Sequence, residues 1–99
     1  MKIEYTNFDG FDWDDGNKDK NLKHKVHNWE CEQLFFNEPI IILEDSIHSI
    51  TEERFAAFGK TDNGRRLIIT YTRRTTKIRV ISARDMNRKE RDFYENFEK

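Results

Sequence analysis

Groups able to move a proton or hold a phosphate recur along this chain at positions that solvation alone does not require. Lys23 and His24 lie beside Leu22 in a segment of helical spacing, and His48 sits in an Asp-Ser-Ile-His-Ser loop. Glu52-Glu53-Arg54 opens a strand, Arg66, Arg79 and Arg84 belong to two long apolar alternations, and Tyr94 to a C-terminal helix. Cleavage of RNA through its own ribose 2′-OH needs a base near that oxygen and cations around a phosphate whose charge is building. It also needs an acid for the departing 5′-oxygen. His, Glu, Arg and Tyr supply that inventory. Each also has a plainer reading: His24 as a helix-surface or capping residue, Glu52 and Glu53 as solvated carboxylates, Arg79 as decoration of an exposed sheet face.

Other chemistries lack their signatures. The chain has no glycine-rich phosphate loop, no HExxH, no paired CxxC and no G-x-S-x-G. Three histidines and one cysteine make no recognised zinc spacing. Cys31 falls on an apolar helical stripe, where packing is the commoner use. Neither a metal nor a cofactor is implied.

The elements that must position these groups are led by the run Arg65–Arg84, RRLIITYTRRTTKIRVISAR. Its spacing predicts strands over 66–72 and 77–83, paired antiparallel at the sheet centre through a basic turn. Alternation puts Arg79 and Ile81 on one face, Val80 and Ser82 on the other. Arg84 then has the wrong parity to join Arg79 unless the strand ends or twists by Ala83. Lys23, Arg65, Arg66, Arg73, Arg74 and Lys77 complete a cationic surface expected to bind RNA.

Residues 2–8 alternate as a short strand. Asp14 or Asp15 can cap a helix running to about Lys25, and Asn28 a second helix that Pro39 ends. Further strands are predicted at Ile40–Leu43 and Glu53–Gly59, the latter joined to 66–72 by Asp62-Asn63-Gly64. Asn87-x-x-Glu90 reads as a capping box, opening a helix whose Phe93, Tyr94 and Phe97 form one stripe. The expected order is β-α-α-β-β-β-β-α. That is an α+β domain, a twisted antiparallel sheet with helices mainly on one face.

At 99 residues the chain suits one domain, 1–99, with eight Phe to fill a modest core. Residues 1–53 hold 5 Lys/Arg against 13 Asp/Glu, and residues 54–99 hold 13 against 6. That split predicts a polarised surface facing nucleic acid or an acidic partner, unless the fold interleaves the two halves. A single cysteine, no signal-peptide-like start and no apolar span point to the cytoplasm and away from a membrane.

In order along nearly the whole chain come Phe11-x-Trp13-Asp14, Lys18-x-x-Asn21-x-x-His24, Phe35-x-x-x-Pro39 and Asp45-x-x-His48-Ser49-x-x-Glu52-Glu53-Arg54-Phe55. Gly59, Gly64-Arg65, Arg79-Val80-Ile81-Ser82-Ala83-Arg84, Glu90 and Tyr94 follow. Together these resemble the BrnT-type toxins of bacterial type II toxin–antitoxin systems. The resemblance implies a RelE-like ribonuclease that arrests translation, cutting RNA free or on the ribosome. It also implies a small DNA-binding antitoxin of ribbon-helix-helix type (BrnA-like), through which alone the pair would touch operator DNA. RelE-like enzymes carry an arginine on a central strand, another at the end of the last strand, and in some a tyrosine in the C-terminal helix. Arg66 or Arg79, Arg84 and Tyr94 match those places. His24 or His48 is the proton-transfer candidate, with Glu53 or Tyr94 as alternatives and Arg54 as a further cation. The chain departs from the family where Gly-Val-Ser/Thr-Phe-x-Glu-Ala gives way to Lys25-Val26-His27-Asn28-Trp29-Glu30-Cys31, a segment read as structural. The rival reading is a non-catalytic module whose basic sheet face holds nucleic acid or protein.

Overall fold

The computed structural model describes residues 8–45 and 52–99. The expected strand at 2–8 lies outside them except for Phe8, and so does His48. Four strands, β1 (Ile41–Glu44), β2 (Phe55–Lys60), β3 (Arg66–Arg74) and β4 (Lys77–Asp85), form an antiparallel meander in the order β1-β2-β3-β4. With α1 (Asn28–Leu34) and α2 (Arg88–Glu95) the chain is α+β, as its alternations predict.

The turns follow the sequence. Gly64 takes φ 84°, a conformation that costs other residues more, and closes the β2–β3 connection with its N–H on Thr61 O at 2.9 Å. β3 and β4 meet across Thr75-Thr76, and their register shifts between Thr70 and Tyr71. Thr70 faces Ser82 while Tyr71 faces Val80, so Ile81 is one residue too many. A bulge of this kind restores a parity that regular alternation would lose.

The sheet separates two apolar clusters. On one face Leu67, Ile69, Tyr71, Ile78, Val80 and Ala83 pack with Val26, Cys31, Leu34 and Phe35, rimmed by Phe8, Phe11, Trp13 and Phe55. On the other Ile68 meets Met86 and Tyr94, with Ile41, Ala56 and Phe58 against them. The expectation of helices mainly on one face is therefore corrected: α1 covers one side and α2 the other. An amphipathic pattern specifies that a helix has an apolar stripe, not which side of a sheet receives it.

The helix expected from Asp14 or Asp15 to Lys25 is also corrected. Residues 15–19 form turns and only Lys20–His24 is helical, as a 3-10 helix flanked by Asp19 at φ 59° and Lys25 at φ 60°. Two asparagines explain this. Asn17 Nδ2 donates to Asp12 O at 2.9 Å and Val80 O at 3.0 Å, and Asn21 Oδ1 accepts from Ala83 N at 3.0 Å. Both side chains are buried and bind the backbone of β4, an outer strand of the sheet and not a central one as expected. An isolated parallel bridge from Phe11 to Ile78 covers the same edge further along.

α2 begins as predicted: Asn87 Oδ1 accepts from Glu90 N at 2.9 Å, and Glu90 Oε1 from Asn87 N at 2.8 Å. Its aromatic stripe is split, however. Tyr94 is buried while Phe93 and Phe97 stand half in solvent, edge to face at 5.2 Å.

Candidate active site

The bulge decides where the arginines go. By register Arg79 lies opposite Thr72 and Arg84 opposite Ile68, so both share the sheet face that carries Thr70 and Ser82. Their backbone positions are four β3 residues apart, roughly 13 Å at strand rise. Arg74 and Lys77, paired at the hairpin end, fall on that face too. Asp45 N donates to Arg54 O at 2.8 Å, which continues the β1–β2 ladder and gives Arg54 the same parity. α2 covers only the far part of this face, around Ile68, Ala56 and Phe58.

Arg79 and Arg84 are each held by a carboxylate. Arg79 is a fork on Asp14, Nη2 to Oδ1 at 2.9 Å and Nη1 to Oδ2 at 3.0 Å, with Asp12 3.6 Å away. Its side chain is only 14% exposed against 55% for that of Asp14. Arg84 forks onto Glu90 at 2.8 and 2.9 Å and donates to Asp85 O at 3.1 Å; its side chain is 47% exposed. Hydrogen bonds from the guanidinium groups pull the carboxyls of Asp14 and Glu90 below their ordinary values, and both arginines titrate above theirs for the same reason.

Several other sequence candidates lie elsewhere. Arg65 is a strut. Its guanidinium reaches Asp85 at 2.7 and 3.0 Å, Glu30 at 3.2 and 3.3 Å, Lys25 O at 2.7 Å and His24 O at 3.3 Å. Arg66 pairs with Glu98 at 2.7 Å and approaches Glu95 at 3.8 Å, pinning the end of α2. Tyr94 is fully buried, its hydroxyl donating to Pro39 O; burial pushes the phenol up to about 12. Arg73 shares the opposite face with Ile78. Glu53 is exposed and its carbonyl accepts from Thr72 Oγ1 at 2.7 Å. Lys23 and His24 are exposed on the 3-10 helix beside β4. Cys31 is buried and its thiol is pushed up to about 12, which suits the packing role read from its stripe.

Ion pairs such as Arg79–Asp12, Arg79–Asp14, Arg65–Glu30 and Lys77–Asp9 join the basic half of the chain to the acidic half. The interleaving alternative thus describes these charges better than a polarised surface does. Asp14 and Glu90 were visible in the sequence as a possible helix cap and a capping-box member; nothing in their spacing pointed to arginines 65 and 6 residues away.

A sequence model of the ribonuclease toxin BrnT, of type II toxin–antitoxin systems, matches residues 13–90. The chain belongs to this family. No individual curated protein matches it. In this member of the BrnT ribonuclease-toxin family the face of Arg79 and Arg84 also carries Thr70, Thr72 and Ser82, of which Thr72 is buried with its hydroxyl on Glu53 O. Among the described residues no group of three His, Cys, Asp or Glu gathers as a metal site, and no helix is long and apolar enough to cross a membrane.

Proposed function

We propose that the chain is a single RelE-like domain, 1–99, that cleaves RNA at the open sheet face and so arrests translation in the cytoplasm. The observation that carries this reading is the bulge at Thr70/Tyr71, which puts Arg79 and Arg84 on one face. Arg79 and Arg84, with Arg54 beside them, hold the scissile phosphate and stabilise the extra negative charge of its transition state. The ribose 2′-oxygen attacks phosphorus, the bond to the 5′-oxygen breaks, and that oxygen takes a proton from water, leaving a 2′,3′-cyclic phosphate and a 5′-hydroxyl. His24, exposed on the 3-10 helix beside β4, takes the 2′-OH proton, imidazole being the side chain best suited to exchange a proton near neutral pH. Tyr94 drops out of this scheme because Pro39 O engages its hydroxyl. Arg65 and Arg66 drop out of RNA binding because carboxylates and carbonyls within the chain occupy them. Arg74 and Lys77 remain, together with Lys23.

The partner is a BrnA-like antitoxin of ribbon-helix-helix type that carries the operator contacts. Its acidic and aromatic side chains cover the open face, and high salt weakens the exposed part of that contact. The test is cleavage of labelled RNA by Arg79→Ala and Arg84→Ala, with EDTA present and melting temperatures measured alongside. Each substitution is expected to cost on the order of a hundredfold or more in rate. Folded variants that cut at the wild-type rate would remove these arginines from the chemistry. Abolition by EDTA would remove the metal-independent route, and no cleavage by the wild type would favour a binding module.

A further inference from the structure

The segment that departs from the family pattern presents an aromatic pair to solvent. Trp29, on the first turn of α1, is 52% exposed, although tryptophan gains more than most side chains from burial. Its ring lies parallel to that of His27, with centroids 5.6 Å apart and planes 11° from each other. The neighbouring chain is cationic. Asp19 N donates to Asn28 Oδ1 and Asn28 Nδ2 to Asp19 Oδ1, each at 3.3 Å, which holds the loop bearing Lys18 and Lys20 against the start of α1. Residues 18–25, KDKNLKHK, set four exposed lysines against one acid, Asp19, which Asn28 already engages.

We propose that His27 and Trp29 form a stacking platform for a base of single-stranded RNA, with Lys23 and Lys25 holding the phosphates on either side. The proposal rests on the ribonuclease reading above and extends its substrate path. Continuity comes from Arg65: one guanidinium touches Asp85, the neighbour of Arg84, and also Lys25 O and His24 O. A strand leaving Arg84 must round the end of β4 to the sheet face that Asp85 and α1 share, where it meets Lys25 and then the Trp29 ring. Stacking on an aromatic face tolerates any base, because every base has a π-face, and lysines contribute a salt-dependent but sequence-blind grip. The site would thus lengthen the bound RNA without adding sequence preference.

The test uses the full chain and a fluorescent oligoadenylate carrying 2′-O-methyl groups, which blocks cleavage during the measurement. By anisotropy, Trp29→Ala is expected to bind about tenfold more weakly and Trp29→Phe to keep most of the affinity. Both variants should melt with the wild type, since the ring lies outside the core. An abasic oligomer of equal length should bind the wild type and Trp29→Ala alike. Equal affinity of Trp29→Ala and the wild type for oligoadenylate would overturn the proposal, as would an equal loss on the abasic oligomer. A loss confined to antitoxin binding would overturn it too, making Trp29 a protein anchor. Cleavage of unmodified RNA by the wild type is measured in parallel: its absence would sink the ribonuclease reading, while anisotropy still decides the platform.

Discussion

Arg65 separates a structural from an RNA-binding reading of the basic residues, and its replacement by alanine gives a worked case. The guanidinium closes the 3-10 helix by donating to Lys25 O and His24 O, and it joins that helix to α1 through Glu30 and to β4 through Asp85. The Asp85 side chain is 60% exposed, so that pair is screened and contributes little. The Glu30 side chain is 12% exposed, and the short bond to Lys25 O is charge-assisted. Net contributions of about 1 kcal/mol for each of these two, plus up to about 1 kcal/mol for leaving Glu30 with only the His27 N–H at 3.0 Å, sum to roughly 2–3 kcal/mol. With a urea m-value of roughly 1–1.5 kcal/mol/M for a chain this size, the midpoint should fall by about 2 M. Arg65→Lys should recover only part of the loss, because a compact ammonium cannot span the four partners that the guanidinium reaches. The assay pairs urea unfolding with RNA affinity at a urea-free concentration where both variants are folded. Unchanged stability together with a large loss of RNA affinity would refute the reasoning and return Arg65 to the RNA surface.

Acid should destabilise the fold in a defined window. Asp85 and Glu90 titrate below their ordinary values through hydrogen bonds from Arg65 and Arg84, and Asp14 through Arg79, so their folded forms bind protons less readily than the unfolded chain. Stability is then fully present above the unfolded carboxylate range, near about 4, and drains away as pH falls through the lower folded values. Melting temperatures should be flat from neutrality to about pH 5 and drop below about pH 4; a rise on acidification would contradict this. Gly59→Ala should destabilise, since a Cβ there would stand 2.7 Å from Leu34 Cγ in a fully buried contact. Overpacking of roughly 1–3 kcal/mol outweighs the entropy gain of about 0.5–1 kcal/mol from losing a glycine, and a higher urea midpoint would show that Leu34 yields without cost.

What the sequence made legible was local. β3, β4 and α2 were readable because period-2 alternation and the Asn87–Glu90 box are properties of adjacent residues. The 14–25 segment misled because Asn17 and Asn21 answer to Val80 and Ala83, 63 and 62 residues away, and not to their own turn. The parity conflict between Arg79 and Arg84 could be posed from spacing, but its resolution lies in how β3 and β4 register against each other. The same holds for Arg65, whose partners at Glu30 and Asp85 come from two other elements. Charges spaced along a strand cannot reveal whether a carboxylate waits opposite them.

Those waiting carboxylates bear on how the site would work. A guanidinium already forked onto a carboxylate looks neutralised, yet the fork is also the geometry that receives a phosphate. The Arg84–Glu90 pair is partly open to water, and exposed pairs of this kind contribute about 0–1 kcal/mol. Exchanging Glu90 for a phosphate oxygen therefore costs little, while the side chain keeps its orientation through Asp85 O. Arg79 differs: its own side chain is nearly buried while that of Asp14 is 55% exposed, with Oδ1 also accepting from Gly16 N at 2.8 Å. A fixed cation whose counter-charge faces solvent can exchange that carboxylate for an incoming anion without rebuilding the site. On this argument Asp14→Asn and Glu90→Gln should tighten RNA binding while lowering the melting temperature, and a loss of both affinity and stability would mean that the carboxylates position the arginines as well as neutralise them.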